Sequence, residues 1–130
     1  MKKISLLFIS VFVFLNVFIS LSFGANSQSS NDFFEYATVD TDPSTDGYGT
    51  NSIVIRKNAT GKAWFSVRGT GTMTVTLQFK CNGDTAWTDY ADYTTNVRKL
   101  IDGGGAGVKW RSIVKDTAYT SGSKSFGFDW

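Results

Sequence analysis

Three aspartates in the stretch "DTDPSTDG", Asp40, Asp42 and Asp46, stand ahead of Gly47. Closely spaced carboxylates before a glycine are the kind of donor set that wraps Ca²⁺. The spacing departs from the D-x-D-x-D-G loop by two residues and no Glu follows at the twelfth position, so the competing reading is an Asp-rich turn whose side chains bond their own backbone. A second set of candidates is aromatic. Trp64, in "KAWFSVR", falls among Lys62, Ser66 and Arg68 on the polar side of an alternating run. An indole placed there is a flat platform for a sugar ring or a partner protein, unless it packs beneath a loop or at a subunit contact. Trp87 and Tyr90, in "TAWTDY", are the other stacking candidates.

Other chemistries lack their parts. The chain has no histidine, which removes Ser-His-Asp and Cys-His nucleophile systems and the commonest zinc and copper ligand. Cys81 is the single cysteine, so neither an intrachain disulfide nor a thiolate metal site can form from it. In an exported chain an odd cysteine is an intermolecular bridge, a reactive thiol or a small buried apolar side chain. Glycosidase chemistry needs two carboxylates about 5 to 10 Å apart across a sugar site; Glu35 is the one Glu, and the aspartates fall mostly in turn sequences. "DGGGAGVKW" lacks the Gly-Lys-Ser/Thr ending of a phosphate loop, and "RGTGTMT" lacks the third glycine of a dinucleotide fingerprint. The expectation is a protein without catalysis and without a cofactor other than Ca²⁺.

The elements that must hold these residues follow from composition and period. Lys2 and Lys3 precede an apolar run from Ile4 to Phe23 and a small-residue exit, the layout of an export signal over residues 1–25. Ser22 and Gly24 suit a cut after Gly24. The run is also long enough for an uncleaved membrane anchor, which needs about 20 apolar residues. Of the 13 lysines and arginines two lie in this segment, which leaves 11 against 11 acidic residues, so the basic balance is no sign of nucleic-acid binding. Residues 26–32 read as a polar linker and 33–130 as one domain, of a size that builds a single core.

In that domain the apolar period is two. Met73, Val75, Leu77 and Phe79 alternate with Thr72, Thr74, Thr76, Gln78 and Lys80, a half-buried strand with a solvated outer face. Asn82-Gly83 supplies a tight turn with "TAWTDY" returning, and the alternation carried one residue further places Cys81 at the core edge beside Phe79. "SIVIRK", "KAWFSVR", "VKWRSIVK" and "SFGFDW" repeat the period, and "FFEYATV" and "YTTNVRKLI" bring the count to seven or eight short strands. Gly-, Asp- and Ser-rich turns separate them. Such strands predict an antiparallel β-sandwich, with a jelly roll or small barrel as the alternative.

"TMTVTLQFKCNGDTAWTDY", the Gly-rich loop after "RKLI", and "VKWRSIVKDTAYTSGSKSFGF" together resemble a pattern of small immunoglobulin- or fibronectin-like β-sandwich accessory proteins of tailed phages and prophages. The resemblance covers Lys62 to Trp130. It implies a structural or surface-binding role and carries over no active-site residue. The export signal departs from it, since tailed-phage virions assemble in the cytoplasm. The expected function is therefore a virion-associated or surface-displayed module that contacts itself or another surface protein, in the extracellular space, the periplasm or the cell surface. The alternative is a secreted carbohydrate-binding module using Trp64, Trp87 and Tyr90.

Overall fold

The computed structural model describes residues 26–30, 34–43, 45–55, 61–105 and 107–130. The export signal expected over residues 1–25 lies outside these residues. Among the described residues eleven strands form three antiparallel sheets, and the chain is all-β. Six of them fall on the expected runs: β2 (Phe34–Val39), β4 (Lys62–Gly69), β6 (Val75–Lys80), β8 (Val97–Asp102), β9 (Lys109–Val114) and β11 (Lys124–Asp129), with β6 starting at Val75 rather than Thr72 and β8 at Val97 rather than Tyr93. The "TAWTDY" return begins later than expected, as β7 (Thr88–Tyr93), with Trp87 left in the turn. β1 (Ser27–Ser30), β3 (Tyr48–Gly49), β5 (Thr72–Met73) and β10 (Tyr119–Ser121) raise the count above seven or eight. They are two to four residues long, too short to display a period.

One sheet has the order β1-β2-β11-β4-β8, a second β3-β9-β6-β7, and β10 pairs with β5. A single core joins the first two: Ala37, Val39, Ala63, Phe65, Val67, Ile101, Phe126 and Phe128 come from the five-stranded sheet, and Val75, Leu77, Trp110 and Val114 from the four-stranded one. Phe65 lies at its centre, with ring centroids 5.4 Å from Phe128 and 5.2 Å from Tyr93 of β7.

Three expectations are corrected here. Residues 27–30 are not a linker but an edge strand paired with β2, Ser27 opposite Thr38 and Ser30 opposite Glu35. Asn26 locks its start, because Asn26 Oδ1 accepts hydrogen bonds from the amides of Asp40 and Thr41 at 3.0 and 3.2 Å and from the Thr41 hydroxyl. "SIVIRK" gives only an isolated bridge between Ile53 and Trp110 in its described part, although Ile53 and Ile55 are both buried. The outer face of β6 is not solvated: Thr76 and Gln78 are buried there. β6 lies between β7 and β9, so side chains from both neighbours close over it.

Lys124 is buried at the start of β11, on the same side as Phe126 and Phe128. Its Nζ donates to the carbonyl oxygens of Thr94 and Met73. Burial holds its ammonium below the ordinary 10.5. Between that lowered value and 10.5 the unfolded chain binds the extra proton, so this residue makes stability rise with pH in that window. Tyr93, raised above 10.0 by burial, acts in the opposite sense. Lys124→Met should therefore remove an upward slope from urea midpoints measured between neutral pH and pH 10, read as the difference from the parent. An unchanged difference across that range would refute the buried ammonium as its source.

Candidate functional site

The cleft of interest is built where β6, β7 and β9 end. The β7 ladder pairs Leu77 with Ala91 and Gln78 with Asp89, so Tyr90 is an extra residue opposite β6, a β-bulge. The bulge turns Tyr90 towards the apolar side while Asp89 stays on the outer side against Gln78. Tyr90 meets Trp110 edge-on at 5.2 Å and Phe79 at 6.4 Å, and Phe79 lies 5.7 Å from Trp110. Gly104, Gly105 and Val108, in the segment after β8, face these rings across a cleft of about 290 Å³. Gly104 is at φ +72°, the left-handed region that glycine adopts freely, and its amide donates to Asp102 Oδ1 at 3.1 Å. The Trp110 indole N–H donates to the Gly103 carbonyl at 3.2 Å and is satisfied within the fold.

Cys81 completes the lining, and its side chain is exposed rather than tucked into the core. The ladder of β6 stops at Lys80 opposite Lys109. Cys81 already belongs to the turn, its amide donating to Asp84 Oδ2 at 2.9 Å and its carbonyl accepting from the Asp84 amide at 3.2 Å. Of the Asn82-Gly83 pair only Gly83 has positive φ. A bulky maleimide should thus label Cys81 fully in the native protein, and Cys81→Ser should change stability by less than about 0.5 kcal/mol, as at other surface positions. Labelling that required denaturant would show the thiol to be covered.

The other candidates do not assemble with this cleft. Trp64 lies on the outer face of the five-stranded sheet, 41 % exposed, directly opposite exposed Leu100. One face of its indole is occupied by the Arg98 guanidinium at 4.5 Å, which also pairs with Asp129 at 3.6 Å. Trp87 is half-buried in the loop ahead of β7, with Arg111 over its ring at 4.3 Å and Lys80 at 6.0 Å. The three aromatics therefore occupy three separate places. Asp40, Asp42 and Asp46 do not gather either: no group of three potential metal ligands of the His, Cys, Asp or Glu type occurs among the described residues. Asp42 and Asp46 are exposed on either side of buried Pro43, while Asp40 is half-buried at the end of β2. Glu35 is committed inside the fold, with Oε1 accepting from Gln28 Nε2 at 2.7 Å and from the Asn51 amide at 2.8 Å.

A polar network covers the outer face of β6. Gln78 Nε2 donates to Asp89 Oδ1 at 2.6 Å, and its Oε1 accepts from Arg111 Nε at 2.8 Å. Lys115 Nζ binds Asp89 Oδ2 at 2.7 Å, and Thr76 Oγ1 donates to Asp92 Oδ1 at 2.7 Å. The hydrogen bond from Lys115, then that from Gln78, holds Asp89 below 3.8. Burial pulls the Arg111 guanidinium down. Sequence reasoning missed this network and Lys124, although Lys124 stands in step with Phe126 and Phe128, a visible signal that it points inward.

No protein family, curated protein or solved structure matches the chain.

Proposed function

We propose that this protein is an exported, non-enzymatic interaction module, an antiparallel β-sandwich whose layers are the five- and four-stranded sheets. In this reading it contacts a structural or surface protein, in the manner of accessory components of phage-like particles, through the cleft at the ends of β6, β7 and β9. The observation that carries the reading is the composition of that cleft: Phe79, Tyr90, Val108 and Trp110 wall it, glycines and Cys81 complete it, and among the described residues no carboxylate or amine lines it. An uncharged aromatic concavity offers little to a reacting substrate but accepts an apolar anchor side chain, the usual centre of a protein contact. Its position agrees with that use. Asn26 is tied to Asp40 at the opposite end of the sheets, so the cleft lies at the end remote from that junction.

The test is co-sedimentation of the purified mature chain with particles and envelopes from the producing culture. The parent should sediment with one of them, and Tyr90→Ser and Val108→Asp, at unchanged melting temperature, should stay in the supernatant. Parent protein that remains free in every fraction, or variants that sediment like the parent, would overturn the reading.

A further inference from the structure

Lys80 and Lys109 are direct cross-strand partners on the outer face of the four-stranded sheet. Like charges placed opposite each other destabilise a strand pair unless something compensates them. Among the described residues no acidic side chain does: the ion pairs there are Arg98–Asp129 and Lys115–Asp89, and neither lysine takes part. Lys80 Nζ is held by the Thr85 carbonyl at 3.0 Å, which keeps the ammonium beside the Trp87 ring. A third cation joins them, since Arg111 lies two residues beyond Lys109 and its guanidinium covers Trp87 at 4.3 Å. Gln78, buried and bonded to Asp89, grips Arg111 by its Nε and leaves the terminal nitrogens of the fork free of any acceptor among the described residues. Asp89 acts on Arg111 only at longer range and is itself bound to Lys115 and Gln78.

We infer that Lys80 and Arg111 over the Trp87 indole, with Lys109 opposite Lys80, form a second site, distinct from the aromatic cleft, that binds an acidic polysaccharide through its anionic substituents. The charge of the patch selects an anion, and a preorganised guanidinium fork matches a carboxylate or a phosphate. The surroundings select the polymer. Thr76, Gln78, Asp89, Asp92 and Lys115 make this face mostly polar; Ile113 is half-buried opposite Thr76 and Arg111 covers Trp87, which leaves no open apolar centre of the kind a protein interface needs. A hydrated anionic chain, with one sugar ring against the indole edge, needs no such centre. A nucleic acid would require a longer run of cations along its phosphates, and Asp89 and Asp92 on β7 interrupt one side of the patch. The site lies at the end of the sheet away from Asn26.

The experiment is affinity electrophoresis and calorimetry of the mature chain with polygalacturonate, heparin, neutral dextran and single-stranded DNA at low and at physiological salt. Binding to at least one acidic polysaccharide and none to dextran is expected. The affinity should fall about tenfold or more in Lys80→Gln/Lys109→Gln, with a shallower salt dependence because two counter-charges are gone. The same double variant should melt no lower than the parent, since it relieves a like-charge pair; Lys109→Glu, which places an acid across from Lys80, should also abolish binding and keeps the fold testable. Failure to bind either acidic polysaccharide at low salt, equal binding by the double variant, equal binding to dextran, or tighter binding to DNA would each overturn the inference. The cleft variant Tyr90→Ser should bind the polysaccharide like the parent, so failure of this site and failure of the cleft are read separately.

Discussion

Gly127→Ala should cost about 3 kcal/mol or more, enough to leave a domain of this size largely unfolded at 37 °C. Gly127 sits in the middle of β11, the central strand of its sheet, between Tyr36 of β2 and Ser66 of β4. A Cβ there would lie 2.0 Å from the Glu35 carbonyl oxygen and 2.7 Å from the Tyr36 Cα, both backbone atoms that cannot swing away. The bare spot is also put to use. The Tyr36 hydroxyl reaches across it to the Ser66 hydroxyl at 3.0 Å, so the ring roofs the glycine and Ser66 is buried on an outer face. Ser125→Ala, on the same face of the same strand, is the control: it loses one hydroxyl contact to Thr38 and should cost only about 1 kcal/mol. Urea unfolding of the two variants checks the difference. Equal, small losses would mean that the strands can separate enough to admit a methyl group.

Glu35→Ala should be the second large loss, about 2 to 3 kcal/mol, in the range of hydrogen bonds to a buried charge together with a backbone N–H left without its acceptor. One carboxylate oxygen joins three parts of the chain: Gln28 on edge strand β1, Glu35 itself on β2, and the Asn51 amide just after β3. β1 has four exposed side chains and no share in the core, so its attachment depends on its ladder, on the Asn26 lock and on Glu35. Amide exchange distinguishes this from a general loss of stability. In Glu35→Ala the amides of Ser27–Ser30 and Asn51 should exchange fastest relative to the parent, whereas those of Val75–Lys80 should change only as far as global stability changes. Uniform acceleration would assign Glu35 a role in the core rather than at this junction. Glu35→Gln keeps an acceptor oxygen and should recover part of the loss.

These two residues also mark how far the sequence could be read. The alternation in "TMTVTLQFK" and "SFGFDW" is a local property of the chain, and it correctly placed Met73, Val75, Leu77, Phe126 and Phe128 inside. The all-β class and its antiparallel sheets were legible for the same reason, because a period of two allows one buried face per strand. The aromatic cleft was half legible: Phe79 and Trp110 were on inward positions, and Tyr90 was singled out, but nothing local announces the bulge that turns Tyr90 towards them.

What only the tertiary structure decided depends on which strands become neighbours and where each ladder stops. Cys81 is exposed because the β6–β9 ladder ends at Lys80 and Lys109, one residue before the alternation would have carried the thiol inward. Thr76 and Gln78 are covered because β6 is flanked on both sides, although their residue types read as solvent-facing. Gly127 is indispensable because of the Glu35 and Tyr36 backbone, 92 and 91 positions earlier in the chain. The Lys80–Lys109 pair, 29 positions apart in the chain, faces itself only once the register is set. Period is written in neighbouring residues and survives any fold that buries one face; pairing, register and strand ends are set by contacts distant in sequence, whose loop-closure cost and side-chain fit no short stretch records.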